Sequence, residues 1–159
     1  MSNATIAPVR RSVFVEAPPA RAFQVFTAGF ASWWPRSHSV LEVEQEAAYI
    51  EPHVGGRWYE RGAGGRECDW GRVLAYEPPH RLLLSWQLDQ EFEPDPDPSR
   101  AGEVEVTFTP ERDGTRVELE HRGFERRVDG GAQVAESVAG EGGWSGLLGT
   151  YAEAAQASS

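Results

Sequence analysis

The stretch "GRVLAYEPPHRLLLSW", residues 71–86, predicts two antiparallel strands joined by a tight turn. Apolar residues stand on both sides of "EPPH", and the two adjacent prolines end one strand and mark the turn. In the second half, Leu82, Leu84 and Trp86 share one face of the strand, because side chains alternate between the two faces of a sheet. This hairpin predicts an antiparallel sheet with one apolar face.

The same period of two continues on both sides of the hairpin. It extends from Glu44 to His121 and is interrupted by the turn signals "HVGG", "GAGG", "PDPDPS" and "ERDG". Residues 12–16, "SVFVE", predict a further strand near the N-terminus. The other predicted strands are 45–51, 56–62, 69–77, 81–88, 103–110 and 115–122.

Helical patterns stand before and after this run of strands. Residues 17–35, "APPARAFQVFTAGFASWWP", begin with prolines and space their phenylalanines helically, which predicts a short helix or helix pair closed by Pro35. Residues 143–156 predict a C-terminal helix, with one apolar stripe made of Trp144, Leu147, Leu148, Tyr151 and Ala155. The glycines at 140–143 predict a break, and whether 130–142 is helical stays open.

Length and charge limit the classes of function. The 159 residues fit a single α+β domain over 1–159, with its core at about 10–156 and helices on one face of the sheet. The formal net charge is −10 and the fifteen basic residues, all arginine, are spread along the chain, so we expect neither nucleic acid nor an anionic membrane as partner. The N-terminus has no apolar signal region, which indicates a cytoplasmic protein.

Two acidic features are interpreted as surface structure. Residues 89–102, "DQEFEPDPDPSRAG", fall between two strands and predict an exposed acidic loop that is dispensable for folding. Glu60 and Glu67 flank a predicted hairpin and are interpreted as solvated strand-end carboxylates.

The sequence indicates neither a metal nor a cofactor. Cys68 is the single cysteine, which excludes an internal disulfide and a multi-cysteine metal site, and we interpret it as a core residue. No two histidines have metal-binding helical spacing, and we expect His38, His53 and His80 to be exposed.

The segments "GGRWYERGAGGRECDWGRVLAYEPPHRLLLSW", "VELEHRGF" and "GGWSGLL" resemble the START-like, helix-grip SRPBCC superfamily, in its branch of activator-of-Hsp-ATPase homologues. The specific signal is "WGRV" followed by "EPPHRLLLSW" and a late "GW". The resemblance implies a curved antiparallel sheet of about seven strands, two short helices and a long C-terminal helix, which together enclose a hydrophobic cavity. Members bind lipids, aromatic polyketides, hormones or other apolar compounds, and some are enzymes.

Strand parity selects the candidate residues of such a cavity. Val117, Leu119 and His121 share the apolar face of the last strand, which makes His121 an inward polar group. The candidate ligand-binding residues are Trp34, Trp58, Trp70, Trp86, Phe108, His121, Trp144 and Leu148. Plain core filling is the alternative for the large rings, although six buried indole N–H groups would each need an acceptor.

Trp33 and Trp34 are adjacent, and one helical stripe cannot easily hold both rings. We expect Trp34 at the cavity mouth and Trp33 outside or at an oligomer contact, although the two roles could be exchanged. An exposed Trp33 would favour a homodimer.

Three functions remain open. The leading hypothesis is binding of a small apolar or aromatic molecule without a cofactor, rather than catalysis. The alternative is a cyclase, dehydratase or hydrolase of aromatic or polyketide-like substrates, with His121 as acid/base. The third is co-chaperone-like activation of an ATPase, which the family name suggests.

Overall fold

A computed structural model describes residues 6–35, 45–95, 97–127 and 129–157. It contains a seven-stranded antiparallel sheet in the order β1-β7-β6-β5-β4-β3-β2. The strands are β1 (Val9–Val15), β2 (Gln45–Ile50), β3 (Arg57–Gly62), β4 (Glu67–Glu77), β5 (Arg81–Trp86), β6 (Gly102–Glu111) and β7 (Gly114–Arg122). The predicted seven strands and the α+β class are confirmed.

The hairpin that determines the sheet is formed by β4 and β5. Val73 lies opposite Leu84 and Glu77 opposite Arg81, with "EPPH" in the turn between the strands. Leu82 and Leu84 of β5 are fully buried, as their alternation predicts. The first strand begins at Val9, earlier than predicted, because it pairs along β7 from Val9 opposite His121 to Val15 opposite Thr115.

Four α-helices in the described ranges lie on one face of the sheet. They are α1 (Pro19–Phe26), α2 (Phe30–Trp33), α3 (Gly131–Ala139) and α4 (Gly146–Ala157). The predicted helix pair is confirmed as α1 and α2, and the undecided stretch 130–142 contains α3. Within the described ranges, no helix is long and apolar enough to cross a membrane.

The core lies between α1, α4 and the sheet. The ring of Phe26 contacts Phe108 of β6 at 5.9 Å and Tyr151 of α4 at 5.1 Å between centroids. The hydroxyl of Tyr151 donates a 2.6 Å hydrogen bond to the carbonyl oxygen of Ala22. One aromatic layer therefore joins the first helix, the last helix and the sheet.

The predicted break between α3 and α4 is confirmed at Gly143, where the backbone leaves the helical region with φ −95° and ψ −142°. A Cβ atom at this position would collide with the carbonyl oxygen of Val138, so only glycine fits. Arg11 of β1 braces the break, because its guanidinium donates to Ser145 Oγ at 2.8 Å and to the carbonyl oxygen of Ala139 at 2.9 Å. The break determines where Trp144 lies.

The opposite face of the sheet is charged. Arg122 donates to Glu105 at 2.6 Å and to Glu120 at 3.0 Å, and Arg10 pairs with Glu120 at 2.8 Å. These guanidinium groups lower the pKa of both carboxyls from their ordinary value. The contrast between this face and the aromatic layer separates the solvated side of the sheet from the side that holds the candidate site.

Candidate functional site

All six tryptophans of the chain lie together inside the molecule. Trp34 contacts Trp70 at 5.2 Å, Trp58 contacts Trp86 at 5.6 Å, and Trp86 contacts the imidazole of His121 at 4.7 Å between centroids. We call this group the aromatic cluster. Its members are Phe30, Trp33, Trp34, Trp58, Trp70, Trp86, His121 and Trp144.

Six of the eight predicted site residues belong to the aromatic cluster, and the other two lie elsewhere in the core. Phe108 packs against Phe23 and Phe26 at 5.2 and 5.9 Å, beneath α1. Leu148 is buried in α4. Strand parity identifies an inward residue correctly, but it does not determine which part of the core that residue reaches.

The resemblance implies a ligand-sized cavity between the helices and the sheet. The described residues do not enclose one there. The space where it was expected contains the rings of the aromatic cluster, and the gap that remains beside His121 measures about 10 Å³. Drug-sized ligands occupy sites of roughly 300–1,000 Å³, whereas about 10–15 Å³ holds one water molecule. The physical reason is the volume of the indole rings, which fill the space between the helices and the sheet.

The expectation that Trp33 lies outside is wrong. Its indole N–H donates to the carbonyl oxygen of Val25 at 3.0 Å, and its ring contacts Phe26 and Tyr151. The turn after α1 folds α2 back over α1, so Trp33 meets the helices while Trp34 meets Trp70 on the sheet. The exposed indole that favoured a homodimer is therefore buried.

His121 lies near the end of β7 and is fully buried. Its Nδ1 accepts a 3.0 Å hydrogen bond from the indole N–H of Trp144, which places the imidazole proton on Nε2. Burial lowers the pKa of His121 to about 3, so the ring is neutral near physiological pH. His121 can therefore donate a hydrogen bond from Nε2, but it has no imidazolium proton to transfer.

The small gap beside His121 is lined by buried donors. No acceptor among the described residues lies within hydrogen-bonding distance of His121 Nε2 or of Arg127 Nη2. Arg127 Nη1 donates to Asp95 at 2.9 Å. We call this gap the His121 pocket. Its lining residues are Trp86, Leu88, Arg100, Gly102, His121, Gly123, Phe124, Arg127, Gly131 and Val134.

Two indole N–H groups of the aromatic cluster also have no acceptor in the part of the chain that the structure describes. They belong to Trp58 and Trp86, whose rings are neighbours. A buried donor without a partner costs about 1–3 kcal/mol of folding free energy. The interior therefore holds several donors that an oxygen-bearing molecule could satisfy.

Glu60 is a buried member of the site that the sequence interpretation missed. It was interpreted as a solvated strand-end carboxylate, yet it is fully buried and accepts a 3.1 Å hydrogen bond from the indole N–H of Trp70. It shares its face of β3 with Trp58, so strand parity carried the signal. Glu67, interpreted in the same way, is exposed and pairs with Arg57 and Arg61.

The acidic loop is anchored more firmly than its composition predicts. Residues 91–94 are exposed, but the carboxylate of Asp95 accepts from Arg100 at 2.7 Å and from Arg127 at 2.9 Å. The Arg100 guanidinium and, to a lesser extent, Arg127 hold the pKa of Asp95 well below its usual range. The loop therefore positions a residue of the His121 pocket, which its acidic and proline-rich sequence does not reveal.

The other candidate groups are inert or exposed. Burial raises the pKa of the Cys68 thiol to about 11, so it stays protonated, which agrees with a core residue. His53 and His80 are exposed, whereas His38 lies outside the described residues. Over the ranges that the structure describes, no group of three or more histidine, cysteine, aspartate or glutamate residues could hold a metal ion.

The fold and the site can be compared with known proteins. The family model described as "Activator of Hsp90 ATPase homolog 1-like protein" matches residues 16–150. The chain belongs to this family. The resemblance to the helix-grip SRPBCC superfamily is thereby confirmed. The curated protein sequences contain no significant match.

Several solved structures are similar to this chain over nearly its whole length. The anthrahydroquino-Gama-pyrone synthase Txn09, complexed with SUM, is 41% identical, covers 96% of this chain and 99% of its own, and has a TM-score of 0.65. The self-sacrificing resistance protein CalC from Micromonospora echinospora is 28% identical, with coverages of 96% and 97% and a TM-score of 0.66. An AHSA1-like protein from Aeromonas hydrophila is 18% identical, covers 92% and 90%, and has a TM-score of 0.57, which shows the shared fold alone.

Proposed function

We propose that this protein binds a polycyclic aromatic molecule that carries several oxygen atoms, and that the aromatic cluster holds it. The observation that carries the proposal is that three buried donors of the aromatic cluster, on Trp58, Trp86 and His121, have no acceptor among the described residues. Their rings follow one another at 5.6 and 4.7 Å between centroids. Flat rings would stack on the indoles, and ligand oxygens would accept from the N–H groups.

Room for such a ligand has to come from movement of the rings. Trp144 follows directly after the break at Gly143 and contacts Trp34 at 6.2 Å and Trp86 at 6.1 Å. A shift at this break that keeps the hydrogen bond from Trp144 to His121 would separate the indole of Trp144 from that of Trp34 and open space within the aromatic cluster. Contacts between rings would then be exchanged for contacts with the ligand, so binding requires a second arrangement of the same core.

The comparison with Txn09 supports this class of ligand. That protein is described as an anthrahydroquino-Gama-pyrone synthase, a name that implies fused aromatic rings with oxygen substituents. At 41% identity over nearly all of both chains, a related class of ligand is the simplest extension to this protein. ATPase activation, the third function considered, concerns a partner surface, whereas these observations concern the interior.

A second candidate function is ring closure of the bound molecule, which the likeness to a pyrone synthase favours. In such a step a phenolic oxygen bonds to a side-chain carbonyl carbon, and the phenolic proton passes to the carbonyl oxygen. The new hydroxyl then leaves as water with a proton from the adjacent carbon. His121 would serve as a neutral donor that stabilises charge on the carbonyl oxygen, not as the acid/base of the original hypothesis.

Isothermal titration calorimetry with a dihydroxyanthraquinone tests binding. The wild-type protein is expected to bind it saturably, and Trp86→Leu is expected to weaken binding about tenfold or more. Tyr59→Leu is the matched control, because Tyr59 pairs with Tyr49 on the other face of β3, away from the aromatic cluster. A wild-type protein without saturable binding, or equal losses in both variants, would contradict the proposal.

A further inference from the structure

We propose that the His121 pocket binds one ionised phenolic oxygen of the ligand, held between His121 Nε2–H and Arg127 Nη2–H. This inference rests on the proposed function and deepens it, because it names the chemical group that is recognised. Both donor residues are more than nine-tenths buried, both line the same pocket, and neither atom has an acceptor among the described residues.

The donor on His121 has a fixed direction. Trp144 donates to Nδ1, so the single N–H of the neutral imidazole is on Nε2. The ring packs against Trp86 at 4.7 Å and Phe124 at 4.6 Å between centroids, which prevents it from turning toward another acceptor. A Cβ atom on Gly102 would lie 3.6 Å from Nε2, so the absence of a side chain at this position keeps the space near the donor open.

The second donor brings positive charge to the pocket. Arg127 and Arg100 both line it, whereas Asp95 accepts from both guanidiniums and is not a lining residue. Asp97 pairs with Arg100 at 3.2 Å and likewise stands outside the lining. The lining thus contains two cations and no carboxylate, an environment that favours an anion over a neutral hydroxyl.

In the arrangement that the structure shows, the size of the pocket suits a single oxygen atom. Its volume is about 10 Å³, which is enough for one oxygen and too small for a carboxylate or phosphate group. Gly131, the first residue of α3, also lines the pocket and adds the positive end of that nine-residue helix. A phenolate presents one charged oxygen at the edge of a flat ring, which suits a small donor pocket beside Trp86.

Measuring the ionisation of a bound probe tests whether the pocket holds a phenolate, separately from whether the probe binds. The absorbance of a dihydroxyanthraquinone changes when its phenol ionises, so its ionisation constant can be measured by pH titration both free and bound. In the wild-type protein and in Tyr59→Leu we expect the constant to rise about tenfold or more on binding. In Arg127→Lys and His121→Phe we expect a smaller rise than in the wild-type protein, because each variant loses one of the two placed donors while positive charge remains in the pocket.

The two variants Arg127→Lys and His121→Phe are chosen to change the oxygen-binding site while keeping the packing around it. Arg127→Lys keeps a cation for Asp95 but loses the planar guanidinium that bonds Asp95 through Nη1 while it places Nη2 in the pocket, and His121→Phe keeps a ring in the core. Calorimetry on the same samples reports whether the probe is bound. If the wild-type protein binds no probe, the proposed function fails and this site fails with it. If the probe binds with an unchanged ionisation constant, or if both variants retain the wild-type rise, the site alone is contradicted.

Discussion

The indole N–H of Trp144 donates a 3.0 Å hydrogen bond to Nδ1 of His121, and this contact fixes which imidazole nitrogen carries the proton. Trp144 reaches that position because the backbone breaks at Gly143, immediately before it. The break between α3 and α4 therefore determines which nitrogen of His121, on the sheet that faces the helices, carries the proton. The same contact connects the stability of the core to the donor on Nε2.

Replacing Trp144 tests the structural part of this relationship. Because the ring is buried, Trp144→Ala is expected to lower the free energy of unfolding by about 3–5 kcal/mol. Trp144→Phe keeps most of the packing and leaves Nδ1 of His121 without its donor, so a smaller loss of about 1–3 kcal/mol is expected. Urea denaturation measures both values, and a Trp144→Ala variant as stable as wild type would show that the ring is not part of the core.

The pH dependence of stability tests the buried, neutral state of His121. Its pKa is lowered to about 3 in the folded protein by burial, against about 6.5 when unfolded. Below about pH 6.5 the imidazole is therefore protonated in the unfolded chain but not in the folded protein. The free energy of unfolding falls as the pH drops below this value. When the pH is lowered from about 8 to about 5, His121 should reduce the free energy of unfolding by about 2 kcal/mol.

The control for this prediction is His121→Phe, which has no proton to bind at this position. Urea denaturation of both proteins at several pH values gives the difference between them. The difference should grow as pH falls from about 7 to 5, above the range in which the carboxylates titrate. A difference that does not vary with pH would contradict the lowered pKa of His121.

Within the acidic loop, we expect Asp95 to be needed for the stability of the fold. Asp95→Ala leaves the buried guanidinium of Arg127 without its carboxylate, which is expected to cost about 3–5 kcal/mol. Glu91→Ala, in the exposed part of the same loop, is the matched control and should change little. Thermal melts of both variants decide the matter, and equal midpoints would restore the view that the loop is dispensable.

Much of the fold could be predicted from local patterns. The period of two gave the strands within a few residues, because one face of this sheet is apolar and the other charged. The glycines gave the break at 140–143, because Gly143 adopts a conformation in which a side chain would collide with Val138. These features depend on neighbours in sequence or on a single face, which a linear pattern records.

The site depended on contacts that no linear pattern records. Trp33 is buried because α2 folds back over α1, and Asp95 matters because it meets Arg127 from a distant part of the chain. Glu60 shares its strand face with Trp58, but its charge led to interpretation as a surface residue. The volume left between the helices and the sheet depends on how all the rings pack together, so the cavity could not be judged from any one of them.

The most direct test of the account is a nitrogen-15 NMR titration of the protein with a dihydroxyanthraquinone. We expect saturable shifts of the N–H resonances of His121 Nε2, Trp58 and Trp86, whose donors have no acceptor among the described residues. The indole N–H of Trp33, which already donates to the carbonyl oxygen of Val25, should shift less than these three. Unmoved resonances of His121, Trp58 and Trp86 at saturating probe would contradict the claim that these donors bind an oxygen-bearing aromatic ligand.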